Sequence, residues 1–136
     1  MIKIQKVGVL VWTIDPEGNK RFLLRNNKPF NGREDEWTIV FGGVEESESL
    51  EKAAIREVFE EYSINDSKET KNLDYKIKFT GKDNIEREIH FFSVKLENID
   101  AKVALNEESI GYDWVKIDKV REMMKHEDEK KAFDIV

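Results

Sequence analysis

One segment of this chain repeats its apolar residues with a period of four: Leu50, Ala54, Val58 and Tyr62. That spacing belongs to a helix with one buried face. The patterns on either side of it are different. Val7 to Ile14 is β-branched and apolar on both alternating faces, which predicts a buried strand. Tyr75, Ile77 and Phe79 alternate with Lys76 and Lys78, which predicts a half-buried one. A helix set among strands has to lay its apolar stripe on a sheet. The expectation is therefore an α/β fold with a sheet of mixed strand direction.

The remaining elements follow from local chemistry. Asp15-Pro16-Glu17-Gly18-Asn19 is a turn, and Arg21 to Arg25 returns as the second strand of a hairpin. Asn26 to Asp35 reads as a polar loop, and Trp37 to Phe41 as one short strand closed by Gly42-Gly43. Ser49 is placed to cap the helix from Leu50 to Tyr62. Asn65 to Asn72 reads as a polar loop. Gly81 to Asn84 turns the chain, so that Ile89 to Leu96 pairs back. Trp114 to Ile117 is a last strand. Asp118 then caps a second helix carrying Val120, Met123 and Met124, and Phe133, Ile135 and Val136 dock the charged tail.

With 136 residues and no obvious linker or repeat, the expectation is a single domain over residues 1–136. No cysteine is present, which excludes disulfides and thiolate chemistry and fits a cytoplasmic location. The N-terminal apolar run is too short to span a bilayer and lacks a signal-peptide cleavage site. A net charge of −6 argues against a nucleic acid polymer as partner. It leaves open phosphate ligands bridged by a divalent cation.

The predicted helix carries a problem. Glu57, Glu60 and Glu61 lie within about 60° of one another at roughly 100° per residue, on a face flanking the apolar stripe. Like charges so placed repel, more strongly when partly buried. A hard divalent cation such as Mg²⁺ relieves the repulsion. Taken alone, the three acids also fit an ordinary solvated face.

The residues upstream favour the cation. Gly42, Glu48, Arg56, Glu57, Val58, Glu60, Glu61 and Ile64 stand at the fixed offsets of one signature, and the stretch from Gly42 to Ile64 resembles the Nudix hydrolase box. The resemblance implies a Nudix fold, an α/β/α sandwich with a mixed sheet. It also implies Mg²⁺-dependent cleavage of a nucleoside diphosphate linked to another group, with Mn²⁺ as a substitute metal. Ser63 departs from the box, which has glycine there to end the helix in a left-handed conformation. An altered or extended helix end is expected.

Roles follow from the same resemblance. Glu57, Glu60 and Glu61 would bind metal, with the Gly42 carbonyl as a further ligand, and Glu57 and Glu60 would serve catalysis. Glu48 and Arg56 would brace the loop against the helix. Glu108 is the preferred general base, with Glu107, Glu45 and Glu46 as alternatives. Arg25, Lys28 and Arg33 are candidates for holding substrate phosphates. Phe30, Trp37, Phe92 and Tyr112 are available for stacking a base. His90 and His126 suggest no site. The preferred substrates are (deoxy)nucleoside triphosphates, including oxidised or noncanonical ones, cleaved to monophosphate and pyrophosphate. Dinucleoside polyphosphates, ADP-ribose and a non-catalytic nucleotide-binding role are the alternatives. The expected partner is a small nucleotide, with no membrane, in a monomer or homodimer.

Overall fold

The computed structural model describes residues 3–29, 35–65 and 67–136. β1 (Lys3–Ile14) and β2 (Lys20–Asn27) form the expected hairpin. In its turn Asp15 Oδ1 accepts the backbone N–H groups of Glu17 and Asn19 at 3.0 and 2.8 Å. Gly18 supplies the positive φ of 87° that a side chain would resist.

The two hairpin strands pair only from Val11 to Ile14 and then diverge. The chain between residues 36 and 43 fills the gap. Trp37 to Phe41 is therefore not one strand. β3 (Glu36–Thr38) pairs with β2, and β4 (Val40–Gly43) pairs with β1. The break falls at Ile39, whose carbonyl accepts Arg25 Nε at 3.2 Å.

β5 (Ser67–Thr80) and β6 (Glu86–Leu96) form the second hairpin, and β7 (Ser109–Val115) lies on the outer side of β2. Strand β6 runs parallel to β1 and the other pairs are antiparallel, so the seven-stranded sheet is mixed. The polar loop expected from Asn65 to Asn72 is instead mostly strand. β5 is an edge strand, paired on one side with β6, and most of its polar side chains are exposed. The last strand begins at Ser109, five residues before Trp114, and ends at Val115.

Side chains alternate between the two sheet faces. Val7, Val9, Val11, Leu23, Phe92, Val94 and Leu96 pack against Ala53, Ala54, Val58 and Tyr62 of α1 (Leu50–Tyr62). On the opposite face Leu10, Phe22, Leu24, Ile89 and Phe91 meet Val120 of α2 (Ile117–Met123), then Met124, Ala132 and Phe133. A one-turn helix, α3 (Glu127–Lys130), and a 3₁₀ turn (Lys131–Ile135) close that layer. The result is an α/β/α sandwich. Each large side chain removed from water contributes about 1.5–3 kcal/mol, so both layers are held chiefly by burial. Phe133 docks edge-on to Phe22 at 5.1 Å, whereas Ile135 stays exposed. Lys116, not Asp118, occupies the cap position of α2, and Asp118 lies in its first turn.

The end of α1 differs from the expectation. The helix stops at Tyr62, and Ser63 itself takes the left-handed conformation, φ 59° and ψ 31°. Its N–H still caps Phe59 O at 2.8 Å. Its hydroxyl donates to Ala104 O at 3.2 Å, and Ala104 N–H donates to Tyr62 O at 3.0 Å. The segment after β6 is thereby tied to the helix end, and that tie offsets the cost of a side chain in this conformation.

Candidate active site

Gly42 faces α1 from the end of β4, where it pairs with Val7 of β1. A Cβ at Gly42 would overlap the Glu57 carboxyl group, so glycine here is a matter of space, not of backbone angle. At Gly43 a Cβ would meet nothing within 4 Å. The carboxyl of Glu57 is thus pressed onto backbone, and the residue is only 7% exposed.

Arg56 organises the surrounding loop. Its Nε and Nη2 donate to the two oxygens of Glu48 at 2.8 and 3.0 Å, a bidentate pair. Nη2 also reaches Gly43 O at 2.7 Å, while Nη1 reaches Glu57 Oε1 at 2.9 Å and Glu60 Oε1 at 3.0 Å. Glu48 Oε1 in turn accepts Glu45 N–H at 3.0 Å. The guanidinium beside Glu48 holds its carboxyl down at about 2. Among the described residues, no three His, Asp or Glu side chains already converge as a ligand shell. Arg56 instead draws the Glu57 and Glu60 carboxylates to itself.

One turn along α1 from Glu57, Glu61 is 4% exposed. Its Oε2 is buried with no hydrogen-bond partner among the described residues, although Arg25 Nη1 lies 3.7 Å away. Burial raises the pKa of both Glu57 and Glu61. Glu60 and Glu61 push Glu57 further up, and Arg56 opposes them. For Glu61, Arg25 and Asn106 oppose the rise, and the nearby Glu108 carboxyl adds to it. Two crowded, desolvated carboxyls, one with an unpartnered oxygen, form a donor set that a hard divalent cation fits.

The structure brings Glu57, Glu60, Glu61 and Glu108 to one side of the sheet. Arg25 and Lys28 join Asn27, Pro29, Glu107 and Glu108 around a cleft of about 580 Å³. The buried guanidinium of Arg25 is, however, already engaged. It donates to Ile39 O, to Ser109 Oγ at 3.0 Å and to Asn27 Oδ1. Lys28 is exposed, and its N–H holds Glu108 O at 3.0 Å. Arg33 and Phe30 lie outside the described residues. Phe92 is buried beneath α1, and Trp37 packs on the opposite layer. His90 Nε2 lies 2.8 Å from Glu88 and 2.6 Å from Gln5, and His90 is not among the residues that line the cleft.

Sequence reasoning missed Asn106. Its Oδ1 accepts Glu108 N–H at 3.0 Å, and its Nδ2 donates to Glu60 O at 3.4 Å, so it ties the Glu108 loop to the helix. The Asn-x-acid spacing of an Asx turn was the available signal. The Arg25–Glu61 pair left no such trace, because the two residues are far apart in sequence.

A NUDIX domain model matches residues 4–134. None of the curated proteins matches this chain. Several solved structures share the fold. A C. elegans Ap4A hydrolase in a binary complex has TM-score 0.78 and 19% identity, covering 97% of this chain and 93% of that one. The E. coli dihydroneopterin triphosphate pyrophosphohydrolase has TM-score 0.77 and 19% identity, covering 98% and 96%. The NUDIX domain of Shewanella oneidensis NrtR, complexed with ADP ribose, has TM-score 0.78 and 14% identity, covering 99% and 86%.

The chain belongs to the NUDIX family. It is a Nudix hydrolase acting on pyrophosphate bonds, a class that generally uses divalent metals. Among the described residues, no helix is long and apolar enough to cross a membrane.

Proposed function

We propose that the protein hydrolyses (deoxy)nucleoside triphosphates, oxidised or noncanonical ones included, to monophosphate and pyrophosphate with Mg²⁺. One observation carries the metal-dependent part of this reading: Glu57 and Glu61 are buried together, and Glu61 Oε2 has no hydrogen-bond partner among the described residues. Glu57, Glu60, Glu61 and the Gly42 carbonyl would hold the cation. Bound there, Mg²⁺ supplies charge neutralisation for the phosphates, and Mn²⁺ can replace it.

The chain's own residues do the rest. Arg56 keeps Glu57, Glu60 and Gly43 O in a fixed arrangement through its three-way bonding. In this reading the Glu108 carboxylate takes the proton of the attacking water as the oxygen bonds to phosphorus and pyrophosphate leaves. Lys28, at the cleft mouth, offers an ammonium to the phosphate chain. Arg25 acts from behind, as a wall of the cleft. A single domain working in the cytoplasm as a monomer or homodimer belongs to the same proposal.

The test is a panel of nucleoside triphosphates with Mg²⁺ and product chromatography. The panel includes a dinucleoside tetraphosphate and ADP-ribose, because one structural relative is an Ap4A hydrolase and another was crystallised with ADP ribose. Monophosphate and pyrophosphate in equal amounts support the proposal. Turnover confined to the other two compounds moves the substrate class. No turnover of any member, together with retained nucleotide binding, makes the domain a binding module.

A further inference from the structure

We propose that Tyr112 is the platform on which the substrate's base stacks, and hence the residue that gives the cleft its affinity for nucleosides over simple phosphates. This rests on the nucleotide reading above. Tyr112 sits on β7 directly opposite Arg25 of β2. Cross-strand partners share a face, so Tyr112 stands on the side that holds Arg25, Glu61 and the cleft. Trp114, two residues on, packs into the core beneath α1, which fixes the same orientation. β7 pairs only with β2 among the described residues, so Tyr112 lies at the rim, with 44% of its surface free.

The other described aromatics are placed elsewhere. Phe92 and Tyr62 are buried, while Trp37, Phe41 and Tyr75 belong to the opposite layer. Phe59 is exposed, but it projects from α1 about 200° around from Glu57. None of the described residues that line the cleft, Arg25, Asn27, Lys28, Pro29, Glu107 and Glu108, offers a flat ring as a stacking surface. Tyr112 supplies that surface, and every base has a π-face to meet it. Ile110, also exposed, extends the apolar strip along β7.

The experiment is isothermal titration of the four ribonucleoside monophosphates, and separately of inorganic pyrophosphate, with Mg²⁺ present. It compares wild type, Tyr112→Ala and Tyr112→Phe. For the best-bound monophosphate, Tyr112→Ala weakens binding about 10-fold and Tyr112→Phe stays within about twofold. Pyrophosphate affinity is unchanged in both, and in turnover KM rises while kcat holds. The inference is overturned if wild type binds no monophosphate, if Tyr112→Ala binds it as wild type does, or if pyrophosphate affinity falls equally. It is also overturned if Tyr112→Ala only converts a dimer to a monomer, which makes the strip a contact between copies. Tyr112-dependent monophosphate binding without turnover of any substrate keeps this inference and removes the enzymatic reading.

Discussion

Arg25 Nη1 on β2 stands 3.7 Å from Glu61 Oε2 on α1, and both side chains are almost wholly buried. The pair joins the sheet to the helix that carries the acidic cluster. The same guanidinium also satisfies Ile39 O at the β3–β4 break and Ser109 at the start of β7. Arg25 is therefore a strut between three elements, and its distance from Glu61 depends on all of them.

Removing the strut leaves a buried carboxylate alone. Arg25→Met should lower unfolding free energy by about 3–5 kcal/mol in urea titrations. Arg25→Lys should recover little, because an ammonium cannot serve Ile39 O, Ser109 and Glu61 from one planar fork. Adding Glu61→Gln to Arg25→Met should return part of the loss. Strict additivity in that double-mutant cycle would mean the pair is not coupled.

The two adjacent glycines should behave differently. Gly42→Ala places a methyl where the Glu57 carboxyl sits, so Glu57 must swing away. The variant should lose most of the Mg²⁺-induced rise in Tm. Gly43→Ala meets nothing and should keep it. Equal responses in calorimetry would show that the packing of Glu57 on Gly42 does not govern metal binding.

Ser63 holds a left-handed conformation that glycine adopts without strain. Ser63→Gly should stabilise by about 0.5 kcal/mol, since it also gives up a weak exposed bond to Ala104. Ser63→Val should destabilise by about 1–2 kcal/mol. Urea midpoints of the three proteins provide the ranking. Valine above serine would contradict the assigned conformation.

Glu48 provides a pH signature. Arg56 holds its carboxyl at about 2 in the folded protein, below the ordinary 4.5. A depressed acid binds fewer protons when folded, so its stabilisation is present above about pH 4.5 and is lost as pH falls toward 2. The Tm difference between wild type and Glu48→Gln should thus be full at neutral pH and shrink steadily on acidification below pH 4.5. A gap independent of pH would place the contribution of Glu48 outside its charge.

Much of the fold was legible in the sequence because its signals are local. The bounds of α1 and the Ser49 cap follow from period and cap chemistry, and Ser49 Oγ does accept Lys52 N–H at 3.1 Å. The β-branched run of Val7 to Ile14, apolar on both faces, and the alternation of Tyr75 to Phe79 likewise marked strands. What stayed hidden depends on partners distant in sequence. β5 begins in polar residues because an edge strand needs only one paired side. The Trp37–Phe41 segment divides because β1 and β2 splay apart around it. Ser63 keeps the place of a glycine through its bond to Ala104, which local propensity does not reveal. At the site, spacing grouped the three glutamates on one face. Only the structure distinguishes buried Glu57 and Glu61 from half-exposed Glu60, and shows that Arg25 is engaged within the protein.

The central claim is that buried carboxylates on α1 hold a divalent metal that hydrolysis requires. Pyrophosphate release from nucleoside triphosphates, measured against Mg²⁺ for wild type, Glu57→Gln and Glu61→Gln, tests it most directly. The wild-type rate should vanish with chelator, and the variants should be slowed by about 100-fold or more although folded. The metal-free Tm of Glu57→Gln should equal or exceed wild type, because a repelling buried charge is gone, whereas Glu61→Gln also gives up its pairing with Arg25. A chelator-resistant wild-type rate, or variants as fast as wild type, would contradict it.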